Sequence, residues 1–359
     1  MEMDKKPLRV CFFQAYTCGY IRAQTLLKGL RENGLDVVEC VVNKPGLSRY
    51  PQSILKFLKS MGSCDVVVAN YRSFEILFIL RLLTRKPIVY DPFLSVWQTV
   101  CEERKWFLGD SLPGRLLFFV ERWNCKMADH VLIDSKAHKR YFEKTFSVDP
   151  KKITVIYTSC DDALFFPRPK EAHSVGKVVF WCGSGIPLQG LGVVYEAFKS
   201  LPEGIVLRVA GSSRIISDLE AKAAREGVKN IVFLGRLARE DVAREIANAD
   251  ICLGGHYSKL SKAGNVVSGK VYEMIATRKP VIVGASDAVK ELFVDGVDVL
   301  MCEAGSPRSL AESIVRLCND EALSDRLAEN AYRLFLKTLL PRHTGKPFAE
   351  VLERLAGGI

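Results

Sequence analysis

Lys270 and Glu273 stand one helical turn apart behind the small, polar stretch Gly264-Asn265-Val266-Val267-Ser268-Gly269, and the apolar run Pro280 to Gly284 follows them. A chain that turns through small residues into a helix exposes the unpaired N–H groups of the first turn, where the helix dipole favours an anion. Ser268 stands where a side chain can cap that turn. Lys270 adds a full positive charge beside the amides, and the Glu273 carboxylate can accept two hydroxyl hydrogen bonds. Phosphate with vicinal hydroxyls is the chemistry of a nucleotide. The same spacing also fits an i,i+3 pair on a solvated helix face, worth about 0.2–0.5 kcal/mol.

Further candidates sit where apolar runs end. Gly183, Ser184 and Gly185 follow "KVVFWC", Gly211 follows "IVLRVA", and Gly235-Arg236 follows "NIVFL". Tight turns at such points let backbone amides approach a ligand, although a strand-to-helix turn needs glycine in any case. Asp91 closes the run "PIVYD" and is followed by Ser95, Thr99, Glu103 and Arg104. An Asp-Pro step is also a common turn starter. Near the start, "AYTCGYIRAQTLLKGL" places Gly19 at a turn and Arg22 in the helix that follows, without the G-x-G-x-x-G of dinucleotide binders.

Two sets of elements position these residues. The runs "LRVCFF", "DVVECVV", "DVVVAN", "PIVYD", "HVLID" and "ITVIY" alternate with helical patterns. The rhythm stops through the linker "TSCDDALFFPRPKEAHSVG" and restarts with "KVVFWCG", "IVLRVAG", "NIVFLG", "DICLGG", "PVIVG" and "DVLMC". Strands alternating with helices predict parallel sheets covered on both faces. The fold class is therefore α/β, two tandem Rossmann-like doubly wound domains facing a cleft. We place the domains at 1–170 and 171–340. A helix should open at Ser306-Pro307 and a longer one span Leu323 to Leu340. Residues 341–359, with a final helix from about Lys346 to Leu355, should return toward the first domain.

At 359 residues, 48% hydrophobic and 26% charged, the chain has the composition of a folded two-domain protein. Its eleven cysteines lack CxxC or Cys/His ligand spacing and read as reduced core residues. The apolar runs are too short to span a bilayer, and the start lacks a signal-peptide pattern, which reads as cytoplasmic. The net charge of +10 is uneven: residues 1–170 hold 27 Lys and Arg against 18 Asp and Glu, and 171–359 hold 24 against 23. A basic first half suits an anionic surface, so peripheral contact with the inner face of a membrane is one expectation. Two amphipathic pieces fit it: Ile54, Leu55, Leu58 and Met61 share a face beside Lys56 and Lys59, and Phe118, Phe119 and Trp123 mix with Arg115, Arg122 and Lys126. Such helices equally serve to cover a sheet.

The segments "VVFWCGSGIPLQGLGVVYEAF", "LRVAGSS", "IVFLGRLAREDVAREIANADICL", "GKVYEMIATRKPVIVG" and "VKELFVDGVDVLMCEAGSPRSLAESIVRL", in that order and spacing, resemble the retaining glycosyltransferases built from two Rossmann-like domains (the GT-B architecture). The likeness covers residues 177–340, and more loosely 87–160. The family's signature is a Glu, seven residues and a second Glu. Here the second falls on Glu273, which the resemblance makes the ribose-holding residue, while the first position holds Asn265. The chain is closer to a subgroup with a K-x-x-E core, which implies that Lys270 contacts phosphate. Ile186 and Gln189 stand where many relatives have Arg and Lys.

The resemblance implies a nucleotide-sugar donor as co-substrate and no cofactor. Gly183, Ser184, Gly211, Arg236, Asn265, Val267, Ser268, Gly269, Lys270 and Glu273 would line the donor site. Asp91 and Glu103 would be the catalytic candidates, with Gly19, Arg22 and Arg104 on the acceptor side. A glycan or lipid-linked acceptor, retention, and independence of metal follow as expectations, the last because no Asp-x-Asp stands in a strand-end loop. A sugar-nucleotide epimerase or glycan phosphorylase shares the architecture, and a two-lobed small-ligand binding protein also pairs α/β domains. No helix-turn-helix, zinc or aromatic-basic strand signature accompanies the pI of about 9.0, so nucleic acid is not expected as a partner.

Overall fold

The computed structural model describes residues 7–14, 21–42, 46–70, 73–171 and 176–357. Gly19 lies outside the described residues. The chain divides into two compact units, Met1–Ser159 with Leu340–Ile359, and Cys160–Leu339. Most of the linker, from Cys160 on, belongs to the second unit.

The first unit runs β1 (Arg9–Gln14), α1 (Ile21–Glu32), β2 (Asp36–Val41), α2 (Arg49–Met61), β3 (Val66–Asn70) and α3 (Leu77–Leu83). It continues with β4 (Ile88–Asp91), α4 (Leu112–Met127), β5 (His130–Ile133), α5 (Lys136–Phe146) and β6 (Ile153–Val155). All pairings are parallel, in the order β2-β1-β3-β4-β5-β6. Every residue of β3, β4 and β5 is buried, because helices cover both faces of the sheet. The faces divide by alternation along the strands. Val10 and Phe12 of β1 join one cluster with Leu26 and Leu30, whereas Cys11 and Phe13 join the other with Phe57, Cys125, Phe142 and Phe146.

The second unit runs β7 (Lys177–Cys182), α6 (Leu191–Lys199), β8 (Ile205–Ala210), α7 (Arg214–Glu226), β9 (Ile231–Gly235), α8 (Arg239–Asn248) and β10 (Ile251–Leu253). Then come α9 (Ser261–Asn265), α10 (Gly269–Ala276), β11 (Val281–Gly284), α11 (Asp287–Leu292), β12 (Leu300–Cys302), α12 (Pro307–Asn319) and α13 (Glu321–Leu334). Its strands, again all parallel, lie in the order β12-β11-β10-β7-β8-β9. Each of the twelve apolar runs is a strand, and the two doubly wound α/β sheets stand as read from the sequence.

The last helix, α14 (Pro341–Ala356), belongs to the first unit, where Phe348, Ala349 and Leu352 complete the cluster around β1 and α1. It begins before the expected Lys346. Gly345 lies inside the helix, as does Pro347 in its second turn. Gly345 is there for contact: a Cβ on it would lie 2.6 Å from Gly29 Cα of α1, so the two backbones touch. The long helix expected through Leu340 gives way after Leu334 to a π-helical turn at Phe335–Leu339. In α2 Ser53 and Phe57 are buried; of the expected apolar face Ile54 and Met61 pack against the core, while Leu55 and Leu58 are exposed.

Candidate functional site

In the second unit the chain winds from β7 outward through β8 and β9, then returns to the other side of β7 for β10, β11 and β12. Ligands of open α/β sheets bind outside the carboxyl ends of the strands at such a reversal. Lys270 lies there. Its ammonium donates to the carbonyl of Cys182, the last residue of β7, at 3.0 Å, and stands 4.3 Å from the Trp181 ring centroid. Carbonyl and aromatic face together hold the cation in place. Burial pushes the Lys270 pKa down to about 8.

Glu273 is buried one turn on, and burial pushes its pKa up to about 7 against the opposing pull of Arg239 and Lys270. Arg239, the first residue of α8, reaches Glu273 Oε1 at 3.3 Å and lies with its guanidinium 5.3 Å from the Phe165 ring centroid. A solvated surface pair is thus ruled out, since Lys270 and Glu273 are both buried. Ionisable side chains are rarely buried without a partner, and here Lys270 has the Cys182 carbonyl and Glu273 has Arg239; two buried groups with shifted pKa values make this the candidate site.

The turn before them differs in detail from expectation. Ser268 occupies the N-cap position of α10, but its side chain makes no capping bond; its backbone carbonyl instead accepts from Val271 N–H at 3.0 Å. The N–H groups of Gly269 and Lys270 have no acceptor within the helix. Val267 and Ser268 are buried, and Asn265 is half-buried at the end of α9.

The glycine row is also more committed than its sequence suggests. Gly183 N–H donates to Ala210 and Gly211 N–H to Gly235, at 2.9 and 2.7 Å, which prolongs the ladders past the strand ends. A Cβ on Gly211 would collide with the Gly183 carbonyl, which explains that glycine by close packing. Gly185 N–H donates to Gln189 Oε1 at 2.8 Å, so Gln189 fills the turn that carries basic residues in the resembling family. The Gly183 amide is therefore engaged within the sheet, while Ser184 is exposed at the turn. Arg236 is exposed just past β9; the arginine that meets Glu273 is Arg239. Sequence reading missed Arg239, Trp181 and the Cys182 carbonyl. Only the position of Arg239, directly after a strand-end turn, offered a signal.

In the first unit, Asp91 at the end of β4 is fully buried. Arg22 Nε donates to both of its oxygens at 3.0 and 3.2 Å, and Asn70 Nδ2 donates to Oδ2 at 3.0 Å. Arg22 also donates to the Ile156 carbonyl at 2.6 Å. Burial pushes the Asp91 carboxyl up, against the pull of the Arg22 charge. As found, Asp91 is the anchor of Arg22 and presents no open face to a substrate. Nearby in sequence, Ser95 Oγ donates to Glu121 at 3.0 Å, and Glu121 also accepts from the Val96 and Trp97 amides, so Ser95 holds a helix start. Glu103 is buried at the end of a π-helical turn, Gln98–Glu103. Arg104 is exposed, 4.8 Å from the Trp106 ring centroid. Besides Gly19, which is not described, the acceptor-side set thus contains one buried structural arginine and one exposed one.

Two doubly wound parallel sheets of six strands, each flanked by helices, are the GT-B class of α/β fold. Residues 176–320 match the family model described as Glycosyl transferases group 1, and residues 30–164 match Glycosyltransferase Family 4. By the domains of both its units the chain belongs to the glycosyltransferases.

It is 23% identical over 223 residues to an uncharacterised glycosyltransferase of Methanocaldococcus jannaschii, a match covering 62% of this chain and 58% of that relative. Among solved structures, sucrose-phosphate synthase of Thermosynechococcus elongatus aligns with a TM-score of 0.78 at 14% identity, covering 99% of this chain and 100% of the other. Anabaena HepE in complex with UDP and glucose aligns with a TM-score of 0.73 at 17% identity, covering 97% of this chain and all of the other. At these identities the two structures bear on the fold. Among the described residues no helix is long and apolar enough to cross a membrane, and every cysteine is a free thiol.

Proposed function

We propose that this chain transfers a sugar from a nucleotide-sugar donor to a glycan or lipid-linked acceptor, with retention at the anomeric carbon and without a metal. The observation that carries the donor half is the pairing of Lys270 and Glu273, buried one turn apart at the reversal point of the second sheet. In this reading the diphosphate lies against Lys270 and the first-turn N–H groups of α10, and Glu273 accepts from the ribose hydroxyls. As the glycosidic bond breaks, the leaving diphosphate gains negative charge, and a cation already aimed at it stabilises the transition state. The UDP complex of the HepE structure supports the choice of nucleotide. Arg239 would release its contact with Glu273 as the ribose arrives and then lie beside the nucleotide. The acceptor, the sugar and the stereochemistry rest on the family resemblance.

The test is thermal stabilisation by a panel of nucleoside diphosphates and their sugars, in EDTA, followed by Glu273→Ala. The substitution should remove most of the shift. Turnover of a nucleotide sugar without any acceptor, as isomerisation, would overturn the transferase reading.

A further inference from the structure

Helix α4 carries a second feature that the donor site does not use. Leu112, Leu116, Phe119 and Trp123 follow one another at four, three and four residues, which sets them on one face, and they are 84%, 61%, 57% and 42% exposed. The opposite face, with Gly114, Glu121, Asn124 and Cys125, is the one buried in the unit. The loop entering the helix adds Trp106 and Leu108, 62% and 72% exposed. Helix α3, packed beside α4, exposes Phe78 and Leu82. Exposed apolar residues scattered singly are ordinary, but a continuous stripe with an adjoining loop marks a surface that is covered in use.

Charge says what covers it. Between Arg104 and Met127 the chain has Arg104, Lys105, Arg115, Arg122 and Lys126 against Asp110 and Glu121. Glu121 is buried and spent on the Ser95 turn, so the outer surface of α4 has no acidic side chain. Arg115, Arg122 and Lys126 fall along one edge of the stripe by helical spacing. An apolar stripe edged by cations, with Trp at its end, fits the boundary of an anionic bilayer, where apolar side chains enter the acyl region and cations meet headgroup phosphates. A second protein chain would bury the stripe equally well, but it would gain nothing from a one-signed cationic edge unless it were itself acidic. A second copy of this basic unit is not.

We infer that the outer face of α4, with the 106–108 loop, docks this protein on an anionic phospholipid surface. The inference is independent of the donor assignment, because it needs no nucleotide sugar. The test is flotation of the full chain with vesicles of equimolar phosphatidylglycerol and phosphatidylcholine, compared with phosphatidylcholine alone. Binding should be confined to the anionic vesicles and fall by about tenfold or more between 0.05 and 0.5 M salt.

The triple variant Leu116→Ser, Phe119→Ser, Trp123→Ser, and separately Arg115→Glu with Lys126→Glu, should each lose binding by about tenfold or more. Both sets are exposed, so the melting temperature should be unchanged, and Val294→Ser with Val315→Ser, two exposed residues of the other unit, should bind as the parent does. Absence of binding to anionic vesicles overturns the inference, as does a folded triple variant that binds normally. Sedimentation showing a dimer that the triple variant dissociates would also overturn it, in favour of a second copy.

Discussion

Arg22 and Asp91, separated by 69 positions in sequence, meet through Nε and both carboxylate oxygens with neither side chain open to solvent. The pair ties α1 to the end of β4, and the Arg22 bond to Ile156 adds the stretch after β6. Removing one charge from such a pair leaves the other buried and uncompensated, at a cost of about 3–5 kcal/mol. Asp91→Asn should therefore lower stability by that order, and adding Arg22→Met should recover part of the loss. Chemical denaturation of the three variants measures it. If Asp91→Asn kept its midpoint and lost only transfer activity, Asp91 would be a catalytic residue and not an anchor.

Donor binding should have a pH optimum. Glu273, raised to about 7, loses its charge as pH falls through that value, and the ribose hydroxyls lose their strongest acceptor. Lys270, lowered to about 8, loses its charge as pH rises through that value, and the diphosphate loses its cation. Affinity for a nucleoside diphosphate should peak between the two and fall on either side, by up to about tenfold per pH unit for each group. Lys270→Arg should remove the alkaline limb alone, because a guanidinium stays charged. Calorimetric titration from pH 6 to 9 reads this directly; an affinity flat across that range would sink both assignments.

The contact of α14 with α1 depends on two glycines. Gly345→Val would drive a side chain into the Gly29 backbone and should cost about 1–3 kcal/mol or more, as overpacking does. Gly192→Ala, in α6, meets nothing within 4 Å and should be neutral or stabilising by up to about 1 kcal/mol. Urea midpoints for the two variants make the comparison. Equal midpoints would show that the helices can slide apart freely.

Much of this protein is set by local order in its sequence. A run of four to six apolar residues between helical patterns leaves a chain little choice but a buried parallel strand, so all twelve strands could be read directly. The one-turn spacing of Lys270 and Glu273 is likewise a property of the helix they share. What spacing could not say is which way that helix faces. Burial of both residues follows from the position of β7 between β10 and β8, which brings the Cys182 carbonyl and the Trp181 ring under the lysine.

Strand order is a long-range choice, and every contact across strand ends inherits it. For that reason Arg239 was missed beside Glu273, Gly183 was expected to offer an amide that the ladder already uses, and the bond between Asp91 and Arg22 was not legible in the sequence. Sequence by itself determined the elements and the charges they carry. Tertiary structure decided which charges are buried, because burial depends on neighbours that are close in space and distant along the chain.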